Sequence, residues 1–117
     1  MHELSIGSAV VDTALRHAGG RQVTLVHVRV GHLRQVVPDS LRFYFELIAR
    51  ETGCAGARLE IEVVPARLRC ETCETEWTAE AAAFRCPDCA GAHVTVLAGE
   101  ELEVESIELE VEDACIA

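Results

Sequence analysis

Apolar and polar positions recur along the chain with two different periods, one typical of helices and one typical of strands. Residues 4–18 carry apolar side chains at intervals of three and four, which predicts a helix that ends at the pair Gly19 and Gly20. The same period recurs between Pro38, a residue that favours the first turn of a helix, and Gly53, which favours its end. The pattern therefore predicts two amphipathic helices.

Three other segments have the patterns of β-strands. Residues 21–30 are dense in β-branched side chains with apolar residues in both phases, which predicts a central strand covered on both faces. Residues 57–65 and 101–111 alternate apolar and charged positions, as half-buried strands do. The second alternation changes phase at Ser106, so we expect a bulge or twist there. These elements predict an α+β fold, with two helices on a small mixed three-stranded sheet.

The segment before the last strand contains two CxxC pairs about a dozen residues apart, formed by Cys70, Cys73, Cys86 and Cys89. Each CxxC turn directs two sulfurs at one ion, and two facing turns build a closed tetrahedral site that holds structural zinc. A thioredoxin-type redox pair needs only one CxxC. A rubredoxin-like iron site has the same ligands but usually a larger separation and more aromatic residues, so zinc is favoured.

This spacing divides the chain into two predicted domains. Residues 67–97 form a zinc ribbon that is inserted into a discontinuous α+β domain of residues 1–66 plus 98–117. Trp77 lies between the two CxxC pairs and is expected to fill the small core of the ribbon. Cys54 and Cys115 are left over, and the sequence does not assign them a role.

Composition narrows the functional classes. The 117 residues include 20 acidic and 10 basic side chains, a formal net charge of -10, which disfavours non-specific binding to nucleic acid. No apolar run approaches the roughly 20 residues of a membrane span, and the start lacks the features of an export signal, so a cytoplasmic protein is expected. No Ser/His/Asp set, phosphate-binding glycine loop or open metal site predicts an enzyme.

The first three residues, Met1, His2 and Glu3, can form a chelate. A free α-amine, the amide nitrogen of His2 and its imidazole Nδ1 would close five- and six-membered rings around one ion. Ni²⁺ and Cu²⁺ are the ions that displace amide protons most readily and accept planar nitrogen coordination. A frayed terminus without a metal is the alternative.

The start MHELSI, the central string GHLRQVVPDSLRFYFE, the CxxC pairs and the final GEELEVESIELE resemble the HypA/HybF family of hydrogenase nickel-incorporation proteins over nearly the whole chain. The resemblance implies a nickel metallochaperone with zinc on the CxxC pairs and nickel on Met1 and His2, with the backbone amide of Glu3 as a further candidate ligand. It also implies two partners, a maturation GTPase and the large subunit of a [NiFe]-hydrogenase.

Some questions stay open at this level. The chain has Gly31-His32-Leu33 where many relatives have Gly-Glu-Leu, so His32 is either an added ligand or a surface histidine. A zinc-ribbon scaffold that never handles nickel is the alternative function. The oligomeric state is expected to be a monomer or a homodimer.

Overall fold

The computed structural model describes residues 2–79 and 84–111, and only the backbone of His2. Met1 and Cys115 therefore lie outside the described residues. The elements follow the order α1 (His2–Ala18), β1 (Val23–Gly31), a short 3₁₀ helix (His32–Arg34), α2 (Pro38–Ala49), β2 (Arg58–Val64), β3 (Ala66–Cys70), β4 (Glu76–Ala79), β5 (Val94–Ala98) and β6 (Leu102–Leu109). Neither α-helix is long and apolar enough to cross a membrane.

The two predicted helices are present, and they pack against each other through apolar stripes. The buried positions of α1 recur at helical spacing, at Ile6, Val10, Val11, Ala14 and Ala18. On α2 the buried positions are Leu41, Phe45 and Ala49. Gly7 allows close approach, because a Cβ atom at this position would lie only 3.4 Å from the backbone nitrogen of Phe45. The helix pair therefore depends on small residues as well as large ones.

α2 begins at Pro38, with Asp39 in its first turn. Pro38 occupies the first turn, as predicted, but no side-chain hydrogen bond of the helix itself caps it. Instead the backbone N–H of Val37 donates to Oε2 of Glu3 at 3.4 Å. A carboxylate from α1 thus stabilises the positive end of the α2 dipole.

The first sheet is mixed and has the strand order β2-β1-β6, so the predicted central position of β1 is confirmed. Hydrogen bonds from the N–H of Gly31 to the carbonyl of Glu101 and from the N–H of Glu110 to the carbonyl of Gln22 show that β1 and β6 run antiparallel. The prediction that β1 is covered on both faces is wrong. Its second face includes the half-buried His27 and Arg29. Nδ1 of His27 lies 3.1 Å from a carboxylate oxygen of Glu105, and Arg29 forms an ion pair with Glu62.

The outer strands deviate from simple alternation. In β2, Val63 was expected on the buried face but is 46% exposed, whereas Val64 is buried. The chain passes from one compact unit to another after Ile61, so the two ends of β2 belong to different cores. In β6, the half-buried positions are Val104 and then Ile107 and Leu109, which confirms the phase change near Ser106. The bulge itself stays a prediction.

A second three-stranded sheet, with the order β4-β3-β5, carries the ribbon. Both pairings are antiparallel, and Leu68 lies opposite Trp77 on one side and Val96 on the other. Its buried core consists of Ala66, Leu68 and Ala79, with Leu33, Trp77 and Val96 packed against it. Trp77 therefore fills the ribbon core as expected.

The chain divides into two compact units. The first comprises residues 1–28, 36–61 and 103–117, and the second comprises residues 29–35 and 62–102. These units are defined by contacts within each part. The predicted domain borders, after residues 66 and 97, stay a prediction about which parts fold together.

Two glycines in the second unit bring backbone segments into direct contact. A Cβ atom at Gly31 would lie 2.0 Å from the carbonyl oxygen of Gly99, and one at Gly99 would lie 2.7 Å from the Cα of Ala66. Gly31 has an ordinary φ of -69°, so the close approach, rather than the backbone conformation, requires glycine at this position.

Candidate metal centre

The two CxxC segments fold into turns of the same construction. In the first turn the N–H of Cys70 donates to the carbonyl of Thr75, and the N–H of Glu74 donates to the carbonyl of Cys70. In the second turn the N–H of Cys86 donates to the carbonyl of Gly91, and the N–H of Ala90 donates to the carbonyl of Cys86. The sequence offsets are the same as in the first turn. The residue after each second cysteine has a positive φ, 63° at Glu74 and 60° at Ala90. This left-handed residue reverses the chain so that both sulfurs of a pair point the same way.

The structure brings all four predicted cysteines together. The Sγ atoms of Cys70 and Cys89 are 3.6 Å apart, and those of Cys73 and Cys86 are 3.4 Å apart. All four sulfurs lie within 4.8 Å of one another. With Zn–S bonds of about 2.3 Å, the sulfurs of a tetrahedral zinc site are about 3.8 Å apart. The cluster therefore fits a structural zinc site with no open position.

The cluster has a buried side and an exposed side. Cys70 and Cys86 are buried, whereas Cys73 and Cys89 are exposed. Gly91 lies against the cluster, because a Cβ atom there would be 3.2 Å from Sγ of Cys89. Even a methyl group at this position would crowd the sulfur.

Without a metal, the thiols differ strongly in acidity. The side-chain hydrogen bond with Thr75, its backbone N–H and a contact with Cys86 lower the pKa of Cys73 to about 6. The backbone N–H of Cys73 and that of Thr72 lower the pKa of Cys70. The N–H of Gly91 favours the Cys89 thiolate, but hydrogen bonds with the other thiols and burial outweigh it and raise the pKa of Cys89 to about 12. The thiolate is therefore favoured at Cys70 and Cys73 and disfavoured at Cys89 before a cation arrives.

A series of polar side-chain contacts also connects the two turns, in addition to the contacts between sulfurs. The Oγ1 atom of Thr75 lies 3.2 Å from Sγ of Cys73 and 2.9 Å from Oδ2 of Asp88. Its single hydroxyl proton is donated to Asp88 while Cys73 is a thiol and can turn to the sulfur when Cys73 is a thiolate. Asp88 lies within the second CxxC turn, so these contacts hold one turn against the other. Such outer partners orient metal ligands and tune their affinity.

The sequence patterns did not reveal Thr75 and Asp88 as part of the site. The only available signal is position, because Thr75 follows Cys73 by two residues and Asp88 immediately precedes Cys89. Hydroxyl and carboxylate side chains occur near many motifs without taking part in a site. Only the contacts between the two turns identify Thr75 and Asp88.

The other candidate residues are not part of the four-cysteine cluster. Met1 and the side chain of His2 lie outside the described residues, whereas Glu3 bonds to Val37 as described above. His32 is exposed within the short 3₁₀ helix, and His93 is also exposed. Cys54 is fully buried, and burial raises the pKa of its thiol, as expected for a residue that packs rather than reacts.

Comparison with known proteins agrees with this arrangement. Residues 1–109 match the family described as "Hydrogenase/urease nickel incorporation, metallochaperone, hypA". The chain is 47% identical to the hydrogenase maturation factor HypA of Geotalea uraniireducens, over 94% of this chain and all of that protein. It is 43% identical to the HypA of a Roseiflexus species, with 94% and 93% covered.

A solved structure has the same fold. The solution structure of the Ni metallochaperone HypA from Helicobacter pylori superimposes with a TM-score of 0.69 at 25% identity, covering 96% of this chain and all of that one. The chain belongs to the HypA family of hydrogenase/urease nickel-incorporation metallochaperones.

Proposed function

We propose that this chain carries nickel on its first residues and holds zinc on its four clustered cysteines. The cysteine ligands are Cys70, Cys73, Cys86 and Cys89, and they stabilise the ribbon. The observation that carries the zinc assignment is the convergence of four sulfurs from two turns of the same construction. Because the site is closed, it has no position for a substrate, and we infer that the protein catalyses no bond-breaking step.

The proposed nickel ligands are the α-amine of Met1, the amide nitrogen and imidazole of His2, and Glu3 as a further donor. The start of α1 supports this set. The first four N–H groups of a helix have no carbonyl partner within it, and α1 begins at His2. Metal coordination by the amide of His2 or Glu3 would therefore break no hydrogen bond of the helix.

A carrier must bind its cargo where another protein can remove it. A site at the first residues of a chain has few protein ligands, so a recipient can replace them one at a time. We infer that the recipient is the large subunit of a [NiFe]-hydrogenase, that a maturation GTPase assists, and that transfer takes place in the cytoplasm. The curated relatives are named hydrogenase maturation factors, which supports this choice of recipient.

Replacement of His2 by alanine tests the proposal. His2→Ala should lower nickel affinity at least about 100-fold, since it removes one donor and one chelate ring. Zinc content and the circular dichroism spectrum should not change. His93→Ala is the matched control, because His93 is exposed elsewhere in the chain. Unchanged nickel affinity of His2→Ala in calorimetry would refute the nickel assignment.

A further inference from the structure

A groove in the first compact unit lies between α2 and the edge strand β2. Its volume is about 650 Å³, within the range of ligand-binding clefts. Its lining includes the buried residues Phe45 and Leu59 and arginines from both elements. The groove contains none of the proposed zinc or nickel ligands.

One side of the groove is a sheet edge. β2 is the outermost strand in the order β2-β1-β6. The carbonyl oxygen of Leu59 accepts a hydrogen bond of 3.4 Å from Nε of Arg42, a side chain that also lines the groove. This bond is long, so a backbone N–H from another segment can replace it at little cost. A sheet edge beside a cleft is the geometry at which extended peptides add as a further strand.

The charges of the groove indicate the kind of segment that fits. Three of the ten arginines line it, at Arg42, Arg50 and Arg58. Within the described part of the chain Arg50 has neither a hydrogen-bond nor an ion-pair partner. Among the described residues the side chain of Arg58 pairs with the exposed Glu60 at 3.1 Å, and that of Arg42 pairs with the exposed Asp39 at 3.4 Å. Exposed pairs of this kind contribute little free energy, so carboxylates of a peptide can replace them. On a chain with a net charge of -10, this concentration of guanidinium groups is a local exception that favours carboxylates.

Other occupants fit less well. A nucleic acid has no peptide backbone that could pair with the edge of β2, so only its phosphates could contact the groove. We propose that the groove binds an extended acidic segment of a partner protein, which adds to β2 as a strand and places carboxylates on Arg42, Arg50 and Arg58. Backbone hydrogen bonds then supply affinity, and the arginines select acidic side chains.

The probe is a fluorescein-labelled heptapeptide that alternates valine and glutamate, compared with a peptide that has lysine in place of glutamate. Fluorescence anisotropy should show binding of the glutamate peptide by the full zinc-loaded chain and at least about 10-fold weaker binding of the lysine peptide. Binding should weaken as salt is raised. Equal affinity for both peptides would overturn the proposal.

Charge reversal identifies the surface. Arg50→Glu and Arg58→Glu should each reduce affinity for the glutamate peptide at least about 10-fold. The matched control is Arg16→Glu, which makes the same charge change at an exposed position of α1 outside the groove. Equal losses in all three variants would show a general charge effect and exclude the groove. Nickel affinity of Arg50→Glu should stay unchanged, so this test is independent of the nickel proposal.

Two further measurements separate the mode of binding and the occupant. N-methylation of alternate peptide amides on the strand-pairing edge removes backbone donors and should abolish binding, whereas undiminished affinity would exclude strand addition. Sedimentation velocity should show that the free protein does not self-associate through the groove. Self-association through the groove would be recognised by its loss in Arg50→Glu. Such an association, or displacement of the peptide by a single-stranded DNA oligomer, would assign the groove to a second copy or to nucleic acid and overturn the proposal.

Discussion

Cys73 and Cys89 are both exposed, yet their thiols differ in acidity when no metal is bound. Hydrogen bonds with Thr75 lower the pKa of Cys73 to about 6, whereas contacts with neighbouring thiols raise that of Cys89 to about 12. The thiolate is the reactive form. At pH 7 the metal-free protein therefore presents Cys73 mainly as thiolate and Cys89 mainly as thiol.

This difference predicts the order of alkylation. Iodoacetamide at pH 7 should modify Cys73 of the zinc-free protein before Cys89, and mass spectrometry of peptides gives the order. Lowering the pH from 7 to 5 crosses the pKa of Cys73, protonates its sulfur and should slow its modification. Buried Cys54 serves as an internal control that stays unmodified in the folded protein. Equal rates at Cys73 and Cys89 would contradict the assignment.

Thr75 is predicted to act on the metal through its neighbours. Thr75→Val removes the hydroxyl that contacts Cys73 and bonds Asp88, so zinc affinity should fall about 10- to 100-fold. Competition with a coloured chelator measures this change. Thr78→Val is the control, since Thr78 is an exposed residue of β4. If both variants release zinc equally readily, the contacts of Thr75 with Cys73 and Asp88 have no role in zinc binding.

At the scale of elements, the contact between Gly31 and Gly99 determines how closely the end of β1 and the segment after β5 approach. Gly31→Ala places a methyl group into the carbonyl of Gly99, and the chain must move apart, at a cost of about 3 kcal/mol in the free energy of unfolding. Chemical denaturation measures this cost.

The control for this substitution is another glycine. Gly56→Ala meets no atom within 4 Å but adopts a positive φ of 76°, so it should cost only about 1 kcal/mol. A cost at Gly31 no larger than that at Gly56 would show that the backbone contact relaxes easily.

The helices and strands differ in how much of their structure follows from the sequence of their own segment. The two helices, the central strand and the ribbon follow from periodicity and the CxxC spacing, because each pattern reports burial within its own segment. The exposure of Val63 and the carboxylate contacts of His27 and Arg29 depend on which core each strand position faces. The Glu3 bond at the start of α2 joins residues 34 positions apart. No local pattern contains that information.

The candidate site divides in the same way. Four identical residues with fixed spacing identify the zinc ligands without a structure. Thr75 and Asp88 carry no such signature, since their significance comes only from contact between the two turns. Sequence therefore predicts the ligands and not the groups that orient them.

At the scale of the whole molecule, the two compact units should respond differently to zinc removal. The ribbon has a small buried core of Ala66, Leu68 and Ala79, so its stability depends on the metal. The helix pair has its own apolar core. Chelation should therefore raise amide hydrogen exchange in β3–β5 at least about 10-fold more than in α1 and α2.

Chelator with excess zinc is the control, because it separates metal loss from any direct effect of the reagent. Equal acceleration throughout the chain would show that the molecule opens as one cooperative unit.

The arrangement of one buried and one exposed cysteine in each turn also has a kinetic consequence. An incoming chelator can reach the ion only past Cys73 and Cys89, so these two bonds break first, while Cys70 and Cys86 keep the ion in place during the exchange. The rate of metal turnover is then governed by the solvent-facing sulfurs, and the lifetime of the half-released state by the enclosed pair.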